Sequence, residues 1–483
     1  MSPSNELDWQ GVLFQTFCSS TNFNGMNMFS RSRRSFVSRL GVAITVGASL
    51  VLTSLPATAQ RSVPVVRDAE IERYVEDVAS PILKAAGLQS GVDLILVNDH
   101  RFNAFVAGRR IFLHTGALLT AETPNEIAGV LAHEAGHIAG GHQERLRQQM
   151  ARAQTMAVVA MLAGIGAGVA GAAADLPGLP QAGMGIAAGG TEAARRSVLG
   201  YQRGEELTAD RTAIEYLNRT KQSAAGMLKT FDRMARDLSL SGVNVDPYQS
   251  SHPMPRDRLA TLETLARQSP YYAVQDPAAL RTRHDLVRAK IAAYTGGANA
   301  VRRVFRGQSN NLGAVYGETI ATYLNGSSRD ALARVERLIA AQPSNPYFHE
   351  LKGEILLKAN NPAAAANAYA KAIQLAPGNP GLLQIGYGRA LLATGQPEHV
   401  RKAAEILKAA LTREPEYAAG YRFLAQAYGQ LGDVGAAELA TAEGHYHSGQ
   451  VREAKIFAAR AQQRLQRGTP NWLRAQDIIN ARN

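Results

Sequence analysis

Cysteine is nearly absent: Cys18 is the single one in 483 residues. No disulfide can close within the chain, and any metal it holds must rest on histidine and carboxylate ligands. Aromatic residues are also scarce, at 6%, while 46% of the chain is apolar and much of that is alanine. Such a composition leans to helix. Basic residues outnumber acidic ones, 52 to 40, for a net charge of +12. That sign favours acidic surfaces such as anionic lipid headgroups. No nucleic-acid motif accompanies it, so nucleic acid is excluded as a partner.

Charge is missing altogether from Leu40 to Leu55. Arg31, Arg33, Arg34 and Arg39 precede this run and Ala57-Thr58-Ala59 follows it, the order of a secretory signal peptide. The run is short for a bilayer span, which favours cleavage after Ala59 over a retained anchor. The basic cluster begins just past Met28, so translation can start there and residues 1–27 need not be made. Ser32-Arg33-Arg34-Ser35-Phe36 resembles a twin-arginine export motif, and general export fits as well. Either route puts the mature chain in the periplasm, without a thiol. Its expected parts are a catalytic domain over 60–265, a helical linker over 266–309 and a repeat region over 310–483.

Residues 61–90 read as a helical pair, with Ile71, Tyr74, Val75, Val78, Ile82 and Leu83 at helical spacing. Val92–Val97 reads as a strand, and Ala104–Val106 and Ile111–Leu113 as two more around a turn at Gly108. Thr123-Pro124-Asn125-Glu126 opens a helix with an N-cap, a first-turn proline and a capping box. The stretch from Thr155 to Ala174 carries no charge, and a Gly/Pro-rich segment follows to Gly190. Its alanine and glycine content makes a true span marginal. A helix and loop over the active site, or contact with a membrane surface through 155–190, is favoured, with helix resuming near Glu192. Pro343 and Pro377 lie 34 residues apart, the period of the tetratricopeptide repeat. Gly353, Ala365, Tyr369 and Ala372 take its small and aromatic positions, and further units run past Pro415 towards Trp472. The expected fold is mainly α with a small β-sheet in an α+β N-terminal domain, then an all-α repeat solenoid.

His133-Glu134-Ala135-Gly136-His137 is an H-E-x-x-H motif on the capped helix. Spacing of i, i+4 puts both imidazoles on one face, where they can share a metal ion with Glu134 beside it as general base. A metzincin would place its third histidine at position 143, which is Gln143. His142 comes one residue early and, on a continuing helix, points about 100° away, as a surface histidine would. The alternative third ligand is Glu206 in Glu206-Leu207-Thr208-Ala209-Asp210, with Asp210 one turn on to orient a ligand histidine. Glu205 is the competitor, set aside by that spacing. His252, between two serines and Pro253, is read either as an oxyanion stabiliser or as a gate resting on the metal, the gate being favoured. Asn103–Val106 is read as an edge strand that pairs with an extended substrate.

HEAGH, the E-x-x-A-D helix after an apolar insert, and Ser251-His252-Pro253 together resemble the metallopeptidase family of the CAAX prenyl endopeptidases and the membrane heat-shock protease. The signal peptide and repeat tail resemble its periplasmic branch concerned with outer-membrane β-barrel assembly. The resemblance implies one zinc ion per chain on His133, His137 and Glu206, with Glu134, Asp210 and His252 in the catalytic machinery. It implies unfolded or misassembled envelope proteins as substrates, and repeats that contact the outer-membrane assembly machinery. A repeat-based chaperone with little protease activity is the alternative. It leaves a base beside a three-ligand site without a purpose.

Overall fold

A computed structural model describes residues 64–173, 179–241, 252, 256–378 and 380–481. The expected signal segment over 1–59 lies outside these residues. Asp68 opens the first helix, α1 (Ala69–Ala85), by accepting the N–H groups of Glu70 and Ile71. One helix forms here rather than the expected pair. The apolar face of Ile71, Tyr74, Val78 and Ile82 runs unbroken past Pro81, and its burial holds both halves in line.

Strands β1 (Val65–Val66), β2 (Asp93–Val97), β3 (Ala104–Ala107) and β4 (Arg110–His114) form a sheet in the order β1-β2-β4-β3. β4 runs parallel to β2 and antiparallel to β3. It is buried from Ile111 to His114, as an inner strand should be, and β3 takes the edge. Gly108 makes the turn between β3 and β4 at φ +64°, where a side chain would be strained.

After the short α2 (Thr115–Thr120) comes α3 (Pro124–Gly140), buried from Pro124 to Gly136. Its N-terminus departs from the expected capping box. Thr123 makes no cap bond, and Glu126 accepts the N–H of Glu122 at 3.1 Å instead. The Thr123 hydroxyl donates to Glu126 Oε1 at 3.4 Å rather than capping the backbone, and buried Glu126 is also drawn to Lys229 and Arg233 on α6 (Ala225–Ser241).

Gly141 ends α3 at φ +63°. Then α4 (His142–Ala173) and α5 (Leu179–Arg219) pair into a long antiparallel hairpin. Helix thus resumes at Leu179, well before Glu192. The small residues permit it: a Cβ on Gly190 would stand 2.0 Å from that of Ala160, so only glycine lets the two helices meet there.

α7 (Arg256–Arg267) leads to α8 (Ala278–Val304), which serves two cores. Val287 and Ile291 pack with α1 and α3, while Leu286, Ala289 and Ala292 pack with the first repeat helices. The expected linker is therefore a shared wall. Five helical hairpins follow. They are α9 (Leu312–Asn325) with α10 (Ser328–Ala341), α11 (Pro346–Lys358) with α12 (Pro362–Leu375), and α13 (Gly381–Ala393) with α14 (Pro397–Arg413). The last two are α15 (Ala418–Gln430) with α16 (Val434–His447), and α17 (Val451–Arg464) with α18 (Pro470–Asn480). Tyr369 shows why they stack. Its ring fills the space over Gly353 in its own hairpin and over Gly386 in the next, where an added Cβ would meet it at 2.7 Å and 2.4 Å. The mainly helical fold with one small sheet agrees with the sequence reading.

Candidate active site

His133 and His137 project from one face of α3, with their Nε2 atoms 3.0 Å apart. Between them Gly136 faces α5, and a Cβ there would lie 3.1 Å from the Ala209 carbonyl oxygen. α5 can approach this closely because position 136 has no side chain. The approach brings in Glu206, whose oxygens lie 3.4 Å from His133 Nε2 and 3.3 Å from His137 Nε2. One turn on, Asp210 Oδ1 stands 2.9 Å from His133 Nδ1. His252 enters from the chain between α6 and α7. Its Nδ1 lies 3.0 and 3.1 Å from the two Glu206 oxygens and 3.3 Å from His133 Nε2. One donor atom from each of His133, His137, Glu206 and His252 thus falls within 4.8 Å of the others.

Glu134 adjoins this cluster, fully buried, and neither carboxylate oxygen has a hydrogen-bond partner among the described residues. His252 Nε2 is 3.6 Å from Glu134 Oε1. A buried carboxylate without a donor is costly, and such a group is expected where a reacting molecule is to bind.

Arg258 belongs to the site although nothing in the sequence points to it. On the first turn of α7, it binds Asp210 through Nε and through Nη2 at 2.7 Å, and Glu206 through Nη1 at 2.8 Å. Burial opposes the charge on Asp210, but Arg258 and His133 hold its carboxyl below the ordinary range. Glu206 likewise overcomes burial, held far below that range by His252, His133 and His137. Burial also disfavours a charge on His133, yet Asp210 and Glu206 raise its pKa to about 9. The centre therefore attracts positive charge even at full burial.

His142 corrects its reading as a surface residue. Because Gly141 turns the chain, the ring is buried, with Nδ1 2.9 Å from His137 Nδ1 and Nε2 2.8 Å from Glu205. Glu205, set aside as a ligand, also holds Arg145 at 2.9 Å. Gln143, at the position of a metzincin ligand, instead clasps the edge of the sheet. It donates to Val106 O at 2.8 Å and accepts from Gly108 N–H at 2.8 Å.

The donor set suits a metal ion. Three imidazoles and a carboxylate aim lone pairs at one small volume, and protons on the rings cannot satisfy them all. A divalent cation can. Asp210 behind His133 and His142 behind His137 give the outer partners that orient ligand rings.

Comparison with known proteins agrees. Residues 66–266 match Peptidase family M48, and residues 323–380 match a tetratricopeptide repeat. The chain is 25% identical over 419 residues to the beta-barrel assembly-enhancing protease of Escherichia coli (strain K12), spanning 84% of this chain and 82% of that one. The protein of the same name from Yersinia pestis matches to the same extent. Among solved structures, the crystal structure of MamA protein aligns over 35% of this chain and 94% of its own, at 14% identity and a TM-score of 0.28, too low to bear on the fold. The chain is a metallopeptidase, built of a Peptidase family M48 domain and a tetratricopeptide-repeat region.

Proposed function

We propose that the chain is a zinc-dependent endopeptidase of the bacterial envelope, acting on unfolded or unassembled outer-membrane β-barrel proteins. The observation that carries this reading is the buried Glu134 carboxylate, which accepts no hydrogen bond among the described residues, beside four converging donors. A structural zinc site has no use for such a base. His133, His137 and Glu206 would hold the zinc. Bound there, zinc would supply Lewis acidity and lower the pKa of water to near neutral.

Glu134 takes a proton from the attacking water and delivers it to the leaving amine. Asp210 accepts the Nδ1 proton of His133, which keeps the Nε2 lone pair directed into the site, and Arg258 fixes Asp210. The substrate backbone adds to β3, the end strand of the sheet, next to the Gln143 clasp at Val106. His252 rests among the donors, which supports the gate over the oxyanion role. With zinc bound, His252 would serve as a further donor until a substrate displaces it. The repeats, which stack into a surface suited to protein partners, hold envelope proteins or their assembly machinery; the relatives are named for enhancing beta-barrel assembly.

Cleavage of an unfolded outer-membrane porin, with and without chelator, tests the reading. Activity should disappear with chelator and return with zinc. Chelator-resistant cleavage would contradict it, and an intact porin would favour a chaperone. His252→Ala should raise the basal rate on unfolded substrate and slightly weaken zinc retention. A fall in kcat at unchanged zinc content would replace the gate by the oxyanion role.

A further inference from the structure

The hairpin of α4 and α5 is apolar on the wrong side for a water-soluble structure. Its inner contact is made by small residues, Ala153, Ala157, Ala160, Gly164 and Ala167, which are buried or half-buried. Its large apolar residues face outward: Met156, Val158, Val159, Met161, Leu162 and Ile165 are all exposed, Leu162 at 63%. At 100° per residue these six sweep an arc of about 220°, twice the stripe of an ordinary amphipathic helix. On α5, Met184 at 67% and Ile186 at 47% also point to opposite sides. His142–Ala167 is long and apolar enough to cross a membrane, yet only 11% of its apolar stretch is buried.

A protein partner covers one face of a helix. A surface that is apolar nearly all round, with small residues at the helix contact, is the arrangement used in lipid. The charges bear this out. Because Gly190 faces Ala160, Arg195 and Arg196 stand level with the turn from Arg152 to Met156. Three exposed guanidinium groups gather there against one carboxylate, Glu192. They lie between the metal-binding cluster and the apolar zone, at the depth where lipid headgroups meet a penetrating helix.

We propose that this hairpin enters the surface of an anionic phospholipid bilayer, with Met156–Ile165 and Met184–Ile186 in the apolar layer and Arg152, Arg195 and Arg196 on the headgroups. Both arms root in the metal centre, through His142 on α4 and Glu206 on α5. From His142 to Met156 is ~20 Å at 1.5 Å per residue. If the peptidase reading holds, the docked enzyme works at that height above the membrane, on chains that lie along its surface.

The only native cysteine is Cys18, so a fluorescent reporter is easily placed. In a Cys18→Ser background, the full chain carries an environment-sensitive dye at Leu162→Cys or, as control, at exposed Ser448→Cys. Vesicles of phosphatidylglycerol and phosphatidylethanolamine should shift the emission at 162 to the blue and leave that at 448 unchanged. Adding Arg152→Glu, Arg195→Glu and Arg196→Glu should weaken vesicle binding at least tenfold while metal content stays the same. No shift at 162, an equal shift at 448, or a shift that appears with protein concentration alone would overturn the proposal, the last by showing a second copy on this face. Metal content and porin cleavage are read separately, so loss of peptidase function and loss of membrane docking are told apart.

Discussion

Lys290 and His133 are both buried among carboxylates, but their surroundings are built to opposite ends. Around Lys290, on α8, stand Asp68 at 2.7 Å, Glu70 at 3.3 Å and Glu350 at 3.7 Å, and Tyr316 donates to Glu70 at 2.8 Å. That cluster contains its own cation, and the ammonium group ties α1 of the peptidase domain to α11 of the repeats. Around His133 no ammonium group enters among the described residues. Three rings and Glu206 face one another, Arg258 stands behind the carboxylates, and Glu134 is left with no donor. A structural ion cluster closes on an internal charge. A metal centre holds its lone pairs convergent and keeps its arginine in the second rank.

The comparison breaks first at Lys290. Lys290→Met leaves Asp68, Glu70 and Glu350 around a buried apolar group, and should cost about 3–5 kcal/mol in urea unfolding. Metal stoichiometry of the folded fraction should not change. Stability equal to the parent would mean that the seam does not depend on the ammonium group. At the metal centre a smaller effect is expected from Glu205→Ala, which frees His142 and loosens His137. Metal affinity should fall about tenfold, as read by competition with a chelating dye. Unchanged affinity would reduce His142 to a packing residue.

The last effect lies in pH. Burial pushes the Glu350 carboxyl up to about 8 from an ordinary value of 4.5, with Lys290 opposing and Asp68 and Glu70 adding to the rise. The folded chain then keeps a proton that the unfolded chain releases, so stability falls as pH rises between those values. Glu350→Gln should flatten that slope in part, since burial raises Glu70 as well. Thermal melts across this range, with metal held constant, would show it, and an unaltered slope would assign the titration elsewhere.

The convergence of His133, His137, Glu206 and Asp210 was legible because these residues fall in two local pairs. His133 and His137 are one turn apart, as are Glu206 and Asp210, and period alone fixes their faces. The repeats were legible for the same reason, through the 34-residue return of proline. His142 was misread because α3 was taken to continue. The pair Gly140-Gly141 is the stop signal, and the turn it makes brings His142 back to His137. Arg258 was not legible at all, since its partners lie on α5 and no spacing along the chain records a contact between helices. The hairpin was half legible. Its lack of charge showed in the sequence, but not that its small residues would face inward and its large ones outward.

Metal content and porin cleavage, measured together on Glu134→Gln, test the central claim most directly. The substitution removes the base and none of the donors. The protein should keep one zinc per chain while cleavage falls by roughly 10²–10⁴-fold. Cleavage near the parent rate with zinc in place would contradict the account, since the carboxylate at the centre of the site would then have no part in the reaction.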